Sequence, residues 1–449
     1  MPQQTTASTS RADFVRFLLE APRSPHVAQL GSGSRPLEHL VDEALAALSS
    51  RSVGAGDRVV VQLTDPSVFT GTLIALWLLD ATPVIVDPRV SDTAVDDLVR
   101  VVKPRNRILR DGQVWESETD SVPAPSSSEL MIQLTSGTTG RFRVVSRDAA
   151  SVQAEIHRYS SMVYVSAETQ EVVLGSSPFH TFGLIGAVLS GIAGGKDISF
   201  ARQMTASEIA GGSSSDGRAL VTVPTALRHL MTYRGGVHLS SFRGVLFAGE
   251  RLGTATAERL AAIGASPVNI FGTTETGLLA QSSSADALGS LSPSGTRQLD
   301  VANGRLRVLM DRSPYLFHDD PRSSDGWFST GDIVETDGSG AFTILGRADS
   351  QISLAGRKVN LSRVEDAAIA TGMCSGAVAN FSSRIELFVE LSPEASRVAF
   401  QETLYDALES VERPSRILFM EALPRTYGGK LVRDLPTLRS LAGAENGAG

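Results

Sequence analysis

Cysteine is almost absent: Cys374 is the single one in 449 residues. One thiol excludes an intrachain disulfide and a cysteine-rich zinc site, and it suits a reducing compartment. Its plainest reading is a small buried side chain. A basic block is missing too. Lys and Arg number 41 against 49 Asp and Glu, a net charge of −8, so the chain lacks the positive footprint that a nucleic-acid partner needs. Long apolar runs are also lacking. The most apolar segments, residues 71–86 and 181–195, are broken by Asp80 or dense in glycine, and neither reads as a membrane span. The opening MPQQTTASTSRADFVRFLLEAPRS has no uninterrupted apolar core of a secretory signal. The expectation is a soluble protein of the cytoplasm. No internal repeat is present.

What the chain does have is globular composition, 42% hydrophobic and 20% charged, in a length too great for one ordinary core. DRVVVQLTD (57–65), GTLIALWLLD (71–80) and TPVIVDP (82–88) predict strand, helix, strand, the start of an α/β fold. Further apolar strands, at 129–134, 171–177, 219–224, 244–249 and 267–272, are separated by segments long enough for crossover helices, which predicts stacked, mostly parallel sheets. After about residue 290 the texture changes to short strands joined by Gly and Asp turns, a β-rich subdomain. A smaller α+β module begins near Asp349. The predicted domains are therefore 1–348, a large core, and 349–449, a small unit.

Five segments carry chemistry. After the strand ELMIQL, TSGTTG (Thr135, Ser136, Gly137, Thr138, Thr139, Gly140) alternates hydroxyls with glycines. Glycine lets backbone approach polyphosphate, while hydroxyls and amide N–H groups donate to its oxygens. It is no Walker A loop, because the Lys-Ser or Lys-Thr pair is missing. FGTTETG (271–277) offers an aromatic ring to flank a purine and one carboxylate, Glu275, of the oxygen type that Mg²⁺ prefers; its bland reading is a capped helix start. STGDIVE places Asp332 where a carboxylate can accept ribose hydroxyls. GRADSQISLAGRKV adds Arg347 and a turn at Gly356. LPRTYGGKLVRDL sets Lys430 after a Tyr-Gly-Gly turn, a point charge able to meet developing negative charge.

In this order across residues 131–433, the segments resemble the adenylate-forming superfamily of acyl-CoA synthetases, peptide-synthetase adenylation domains and luciferases, with the texture of acyl- or aryl-CoA ligases. The resemblance covers nearly the whole chain. It implies a large N-terminal domain of stacked sheets and a small C-terminal lid that swings about a hinge at Asp349. TSGTTG looks like the phosphate loop. Asn269, Phe271, Gly272, Thr273, Thr274 and Glu275 look like the adenine and Mg²⁺ motif, with Thr274 and Glu275 counted as catalytic. Asp332 and Arg347 would meet ribose and phosphate, Lys430 would serve adenylation, and Gly356 would line the thiol's path. SPFHTFGL looks like the acyl-pocket segment, with His180, which is counted as catalytic too, Phe182 and Gly183; Ala248, Gly249 and Glu250 of FAGERL, with Gly272, complete that pocket and flank adenine.

The implied reaction uses ATP and Mg²⁺ to join an aliphatic or aromatic carboxylic acid to AMP, releasing pyrophosphate, and then transfers the acyl group to CoA. The alternative acceptors are the phosphopantetheine thiol of an acyl carrier protein, or an amine. HTFGLIGAV carries no acid to pair with a substrate amine, which disfavours a simple α-amino acid. A catalytically silent nucleotide binder has little need of Lys430. Arg143 stands where lysine is usual, Val144 at a glycine, Ser353 at a lysine and Arg305 at a glutamate.

Overall fold

The computed structural model describes residues 9–51, 53–116, 128–136, 142–162, 168–201, 208–209, 217–232, 242–249, 258, 260, 262, 267–282, 288–295, 297–320, 325–354, 357–425 and 431–446. Two large sheets and two small ones organise them. In the seven-stranded sheet, Glu129–Ser136, Thr82–Ile85, Arg58–Val61 and Asn106–Ile108 run parallel. Antiparallel strands close both edges: Val114–Glu116 on one, Phe142–Asp148 and then Tyr315–Leu316 on the other.

The helix Pro66–Leu78 shows how sequence builds this layer. Asp65 caps it by accepting from Ser67 and Val68 N–H, and Pro66 occupies the first turn, where a missing donor costs nothing. The helix is apolar on every side, as a helix packed within a core must be. Gly71 lets it cross the helix Leu37–Ser49 closely: a Cβ there would lie 2.6 Å from the Leu40 carbonyl oxygen. Trp77 Nε1 donates to the Leu130 carbonyl at 2.8 Å and so fastens the helix to the strand that ends at Ser136.

The second sheet has thirteen strands. One half is parallel, through His26–Gln29, Asp197–Phe200, Glu171–Gly175, Arg218–Thr222, Phe242–Phe247 and Pro267–Thr273. The chain then reverses at residues 274–276, and Gly277–Ser282, Ser290–Pro293, Phe342–Arg347, Trp327–Thr336, Arg305–Leu309 and Leu299–Ala302 continue the same sheet antiparallel. The strands expected to be parallel pair as parallel neighbours, and the antiparallel strands added at the edges and by the β-rich stretch make both sheets mixed. The β-rich stretch after 290 extends the large sheet because one tight turn carries the hydrogen-bond ladder across.

Residues beyond 350 form a hairpin, Gln351–Leu354 with Arg357–Asn360, and a three-stranded sheet, Cys374–Phe381, Ile385–Leu391 and Arg416–Met420. The helices Leu361–Ala370, Arg397–Ala407 and Leu435–Asn446 accompany it. Its own apolar cluster includes Val364, Leu387, Phe400 and Leu404. Cys374 is buried there, its thiol donating to the Ala368 carbonyl at 3.2 Å. Contacts back to the large sheets run through Arg228 Nε to the Ser375 carbonyl, 3.0 Å, and Asn360 Nδ2 to the Leu345 carbonyl, 3.0 Å. Among the described residues no helix is long and apolar enough to cross a membrane.

Candidate functional site

Thr135 and Ser136 are the last two residues of the strand Glu129–Ser136, and in the antiparallel pairing Thr135 stands opposite Arg143 and Ser136 opposite Phe142. Residues 137–140 of the same motif lie outside the described residues, as do Glu250, Gly356 and Lys430. Gln133, two residues before Thr135 and buried, accepts from the Thr181 hydroxyl at 2.9 Å. That bond ties the strand ending at Ser136 to the segment after His180.

The motif FGTTETG forms a hairpin, and the alternative of a capped helix start does not hold. The backbone reverses at 274–276 between two antiparallel strands. Thr273 and Thr276 close the turn reciprocally, each N–H donating to the other's hydroxyl oxygen at 3.2 Å. A bulge after Phe271 brings the strands so close at Gly272 that a Cβ there would lie 2.3 Å from the Gly277 carbonyl oxygen. Phe271 packs edge-on against Phe342, ring centres 6.1 Å apart. Asn269 is spoken for within the sheet: its side-chain amide donates to the Leu288 carbonyl at 2.8 Å.

Glu275 sits half-buried at the turn and accepts a hydrogen bond from the Tyr315 hydroxyl at 3.0 Å. The Arg143 guanidinium lies 5.5 Å from the centre of the Tyr315 ring. Burial, and then the charge of Glu275, push the Tyr315 phenol up to about 12, so it remains a donor at neutral pH. Under the hairpin lies a buried ionic hub. Arg147 Nη2 meets Glu155 Oε2 at 2.6 Å, with both side chains almost wholly buried, and Glu155 Oε1 accepts from Leu278 N–H at 3.0 Å. Arg147 Nη1 also reaches the Thr274 carbonyl at 3.4 Å. Burial lowers Arg158, and burial with Arg147 and Arg158 alongside lowers Arg297 to about 10. This hub fixes the backbone on both sides of Glu275.

Asp332 lies in the strand Trp327–Thr336 directly across from Arg347. Their charged groups are 3.5 Å apart, and Arg347 Nη1 donates to the Thr330 carbonyl at 2.8 Å. Gly331 between them has φ +80°, and a Cβ would press to 2.8 Å from Arg347 Nη2. Asp349 falls in a single 3-10 turn, Ala348–Ser350, joining the large sheet to the hairpin.

His180 precedes a short helical turn, Thr181–Gly183, that runs into a π-helical segment, Leu184–Leu189. Such widened turns recur at functional sites. His180 Nε2 is 3.9 Å from buried Asp87, which also accepts from Arg89 and from the Ser177 hydroxyl. Gly183 permits close packing, since a Cβ would lie 2.1 Å from the Ser177 carbonyl oxygen. Phe182 packs on the apolar cluster that contains Ala248. Gly249 follows with φ +94°.

Sequence reasoning missed Tyr315, Gln133, Asp87 and the Arg147–Glu155 pair. None lies in a glycine-rich or hydroxyl-rich motif, and Tyr315 reaches Glu275 only through sheet pairing 40 residues away in sequence. Among the described residues no group of three or more His, Cys, Asp or Glu forms a metal cage. Glu275 has oxygen chemistry suited to Mg²⁺ that arrives with phosphate ligands, since that ion commonly takes one or two carboxylates and keeps waters.

Residues 109–312 match the model of the AMP-binding enzyme family. Over that stretch the chain is similar to AMP-binding enzymes. Its relatives include a 2-hydroxy-7-methoxy-5-methyl-1-naphthoate–CoA ligase of Streptomyces carzinostaticus, 26% identical over 71% of this chain and 64% of that one. Another is a 4-chlorobenzoate–CoA ligase of an Arthrobacter species, 24% identical over 90% and 89%. The match spans 12% and 5% of two non-ribosomal peptide synthetases. The fold is that of a solved anthranilate CoA ligase in complex with anthranoyl-AMP, with a TM-score of 0.81, 16% identity and full coverage of both chains.

Proposed function

We propose that this chain uses ATP to activate a carboxylic acid as an acyl adenylate, with pyrophosphate as the leaving group, and passes the acyl group to the thiol of CoA. The observation that carries it is the hairpin presenting Glu275, braced by Arg147 and by Tyr315, whose strand pairs with Phe142–Asp148 and through it with the strand that delivers Thr135 and Ser136. Loop hydroxyls and amides hold the phosphates; Asp332 accepts ribose hydroxyls; Phe271 flanks adenine. When bound at Glu275, Mg²⁺ would neutralise charge on the phosphates. Lys430 meets the charge developing as the acid's carboxylate attacks the α-phosphorus. The nucleophile is already an anion, so no base is required. Positioning and charge neutralisation do the chemistry.

An aromatic acid is the favoured substrate class. Two relatives are aryl-CoA ligases, and the segment after His180 offers Phe182 and small residues with no acid for an amine. In this reading residues 1–348 form the core and 349–449 a lid hinged at Asp349, with Lys430 serving adenylation and Gly356 the thiol's path. A carrier-protein thiol or an amine is the second acceptor to test. The experiment is pyrophosphate release over a panel of aromatic, short and branched acids, each with and without CoA. Multiple turnovers only with CoA and an aryl thioester in the product support the proposal. Release that stalls near one equivalent with or without CoA transfers the reading to a carrier protein or amine. No acid-dependent release at all overturns it.

A further inference from the structure

We propose that Tyr315 is a positioning residue for the phosphate end of the nucleotide site, orienting the Glu275 carboxylate through its hydroxyl and the Arg143 guanidinium through its ring. This deepens the reading above and rests on it. The strand Tyr315–Leu316 pairs antiparallel with Val144 and Val145, immediately after Arg143, and Arg143 stands opposite Thr135 of the phosphate loop. One short strand therefore brings three charged or hydroxylic groups of different segments to one place.

The geometry suits a support. Tyr315 is only 8% exposed, its ring tilted against Phe328 at 6.1 Å, so the hydroxyl is carried by a side chain with few rotamers left to it. Its bond to Glu275 Oε1 is 3.0 Å. A carboxylate has about four acceptor sites, so one such donor fixes the group and leaves capacity for a cation. A glutamate on a turn otherwise samples several rotamers, and a metal would have to order it on binding. The planar guanidinium of Arg143 lies 5.5 Å from the ring centre in a cation–π contact and also hydrogen-bonds the Tyr315 hydroxyl, which leaves its other donors to phosphate. Tyr315 thus sets the spacing between a carboxylate that takes the cation and a cationic side chain that takes the anion.

The test uses the full chain with Mn²⁺ as probe and the non-hydrolysable analogue α,β-methylene-ATP, so it reads binding without turnover. Electron paramagnetic resonance gives the Mn²⁺ affinity of the protein–analogue complex. Tyr315→Phe, which keeps the ring and removes the hydroxyl, is expected to weaken Mn²⁺ about tenfold or more, the worth of one hydrogen bond to a charged group. Adenosine affinity should change less than about twofold, because adenosine lacks the phosphates. In a Glu275→Ala background the same change should add about twofold or less, since Tyr315 acts through Glu275. A lowered melting temperature with Mn²⁺ affinity unchanged would make Tyr315 merely structural and overturn the inference. Wild-type protein that binds neither analogue nor Mn²⁺ would overturn this inference together with the proposed function. Wild-type binding with an unaltered Tyr315→Phe variant would sink this inference alone.

Discussion

Glu155→Gln is the most demanding perturbation of the hub beneath the Glu275 hairpin. The substitution keeps the shape and the acceptor for Leu278 N–H but removes the charge that Arg147 meets at 2.6 Å. At an effective dielectric of about 20, two unit charges roughly 4 Å apart interact by about 4 kcal/mol. Removing one partner of a buried pair costs about 3–5 kcal/mol, because the other stays buried and uncompensated. Here the penalty is sharpened by Arg158 and Arg297, already destabilised as cations by burial and by their neighbours. With a urea m-value of about 3 kcal/mol/M, the midpoint of the large domain should fall by about 1–2 M. Fluorescence of buried Trp77, which is bonded to Leu130, reports that domain, and the transition is read by itself because two units need not unfold together. Arg147→Met with Glu155→Leu should be less harmful than the sum of the singles, by about 2–3 kcal/mol. Singles costing less than about 1 kcal/mol, or a double that adds within about 0.5 kcal/mol, would refute the claim that these charges depend on each other.

Two further outcomes follow from the geometry. Gly331→Ala forces a side chain onto a φ of +80° and against Arg347 Nη2; a stability loss near 1 kcal/mol should accompany several-fold weaker AMP binding by calorimetry, and unchanged AMP affinity would detach Gly331 and Arg347 from the nucleotide. Burial pushes the Cys374 thiol up to about 12, so the reactive thiolate is scarce at pH 8. Ellman's reagent should therefore leave the native chain unlabelled and modify one thiol in urea, whereas rapid native labelling would show that the small domain opens readily.

The strands from 57 to 88, with the buried helix between them, were legible because apolar runs bounded by Asp and Pro admit few other folds. The five motifs stand out by their glycine and hydroxyl content, and the roles given to them belong to the proposed function. Sheet continuity was not: nothing in GTTETG states whether Thr and Glu start a helix or turn a hairpin, and the decision falls to Thr273, Thr276 and the ladder they close. Tyr315 was invisible for a related reason, since its role arises from pairing with Val145, a contact of long sequence separation. The π-helical segment at 184–189 is equally silent in an apolar, small-residue sequence. Local pattern specifies elements, while their partners are chosen by packing.

Asn360 touches both sides of Asp349. Its Oδ1 caps the helix Leu361–Ala370 through Ser362 N–H at 3.0 Å, and its Nδ2 donates across the joint to the Leu345 carbonyl. Gly346 makes room for it, since a Cβ there would lie 2.8 Å from that same Nδ2. If the small domain rotates as proposed, the cap travels with it and the Leu345 bond breaks. That neutral, exposed bond, worth about 1 kcal/mol, biases the two orientations by roughly fivefold, and the bond from charged Arg228 to the Ser375 carbonyl adds to the same side. The joint is weighted by polar bonds, so a ligand reverses which orientation predominates only if its preference for the other exceeds their sum.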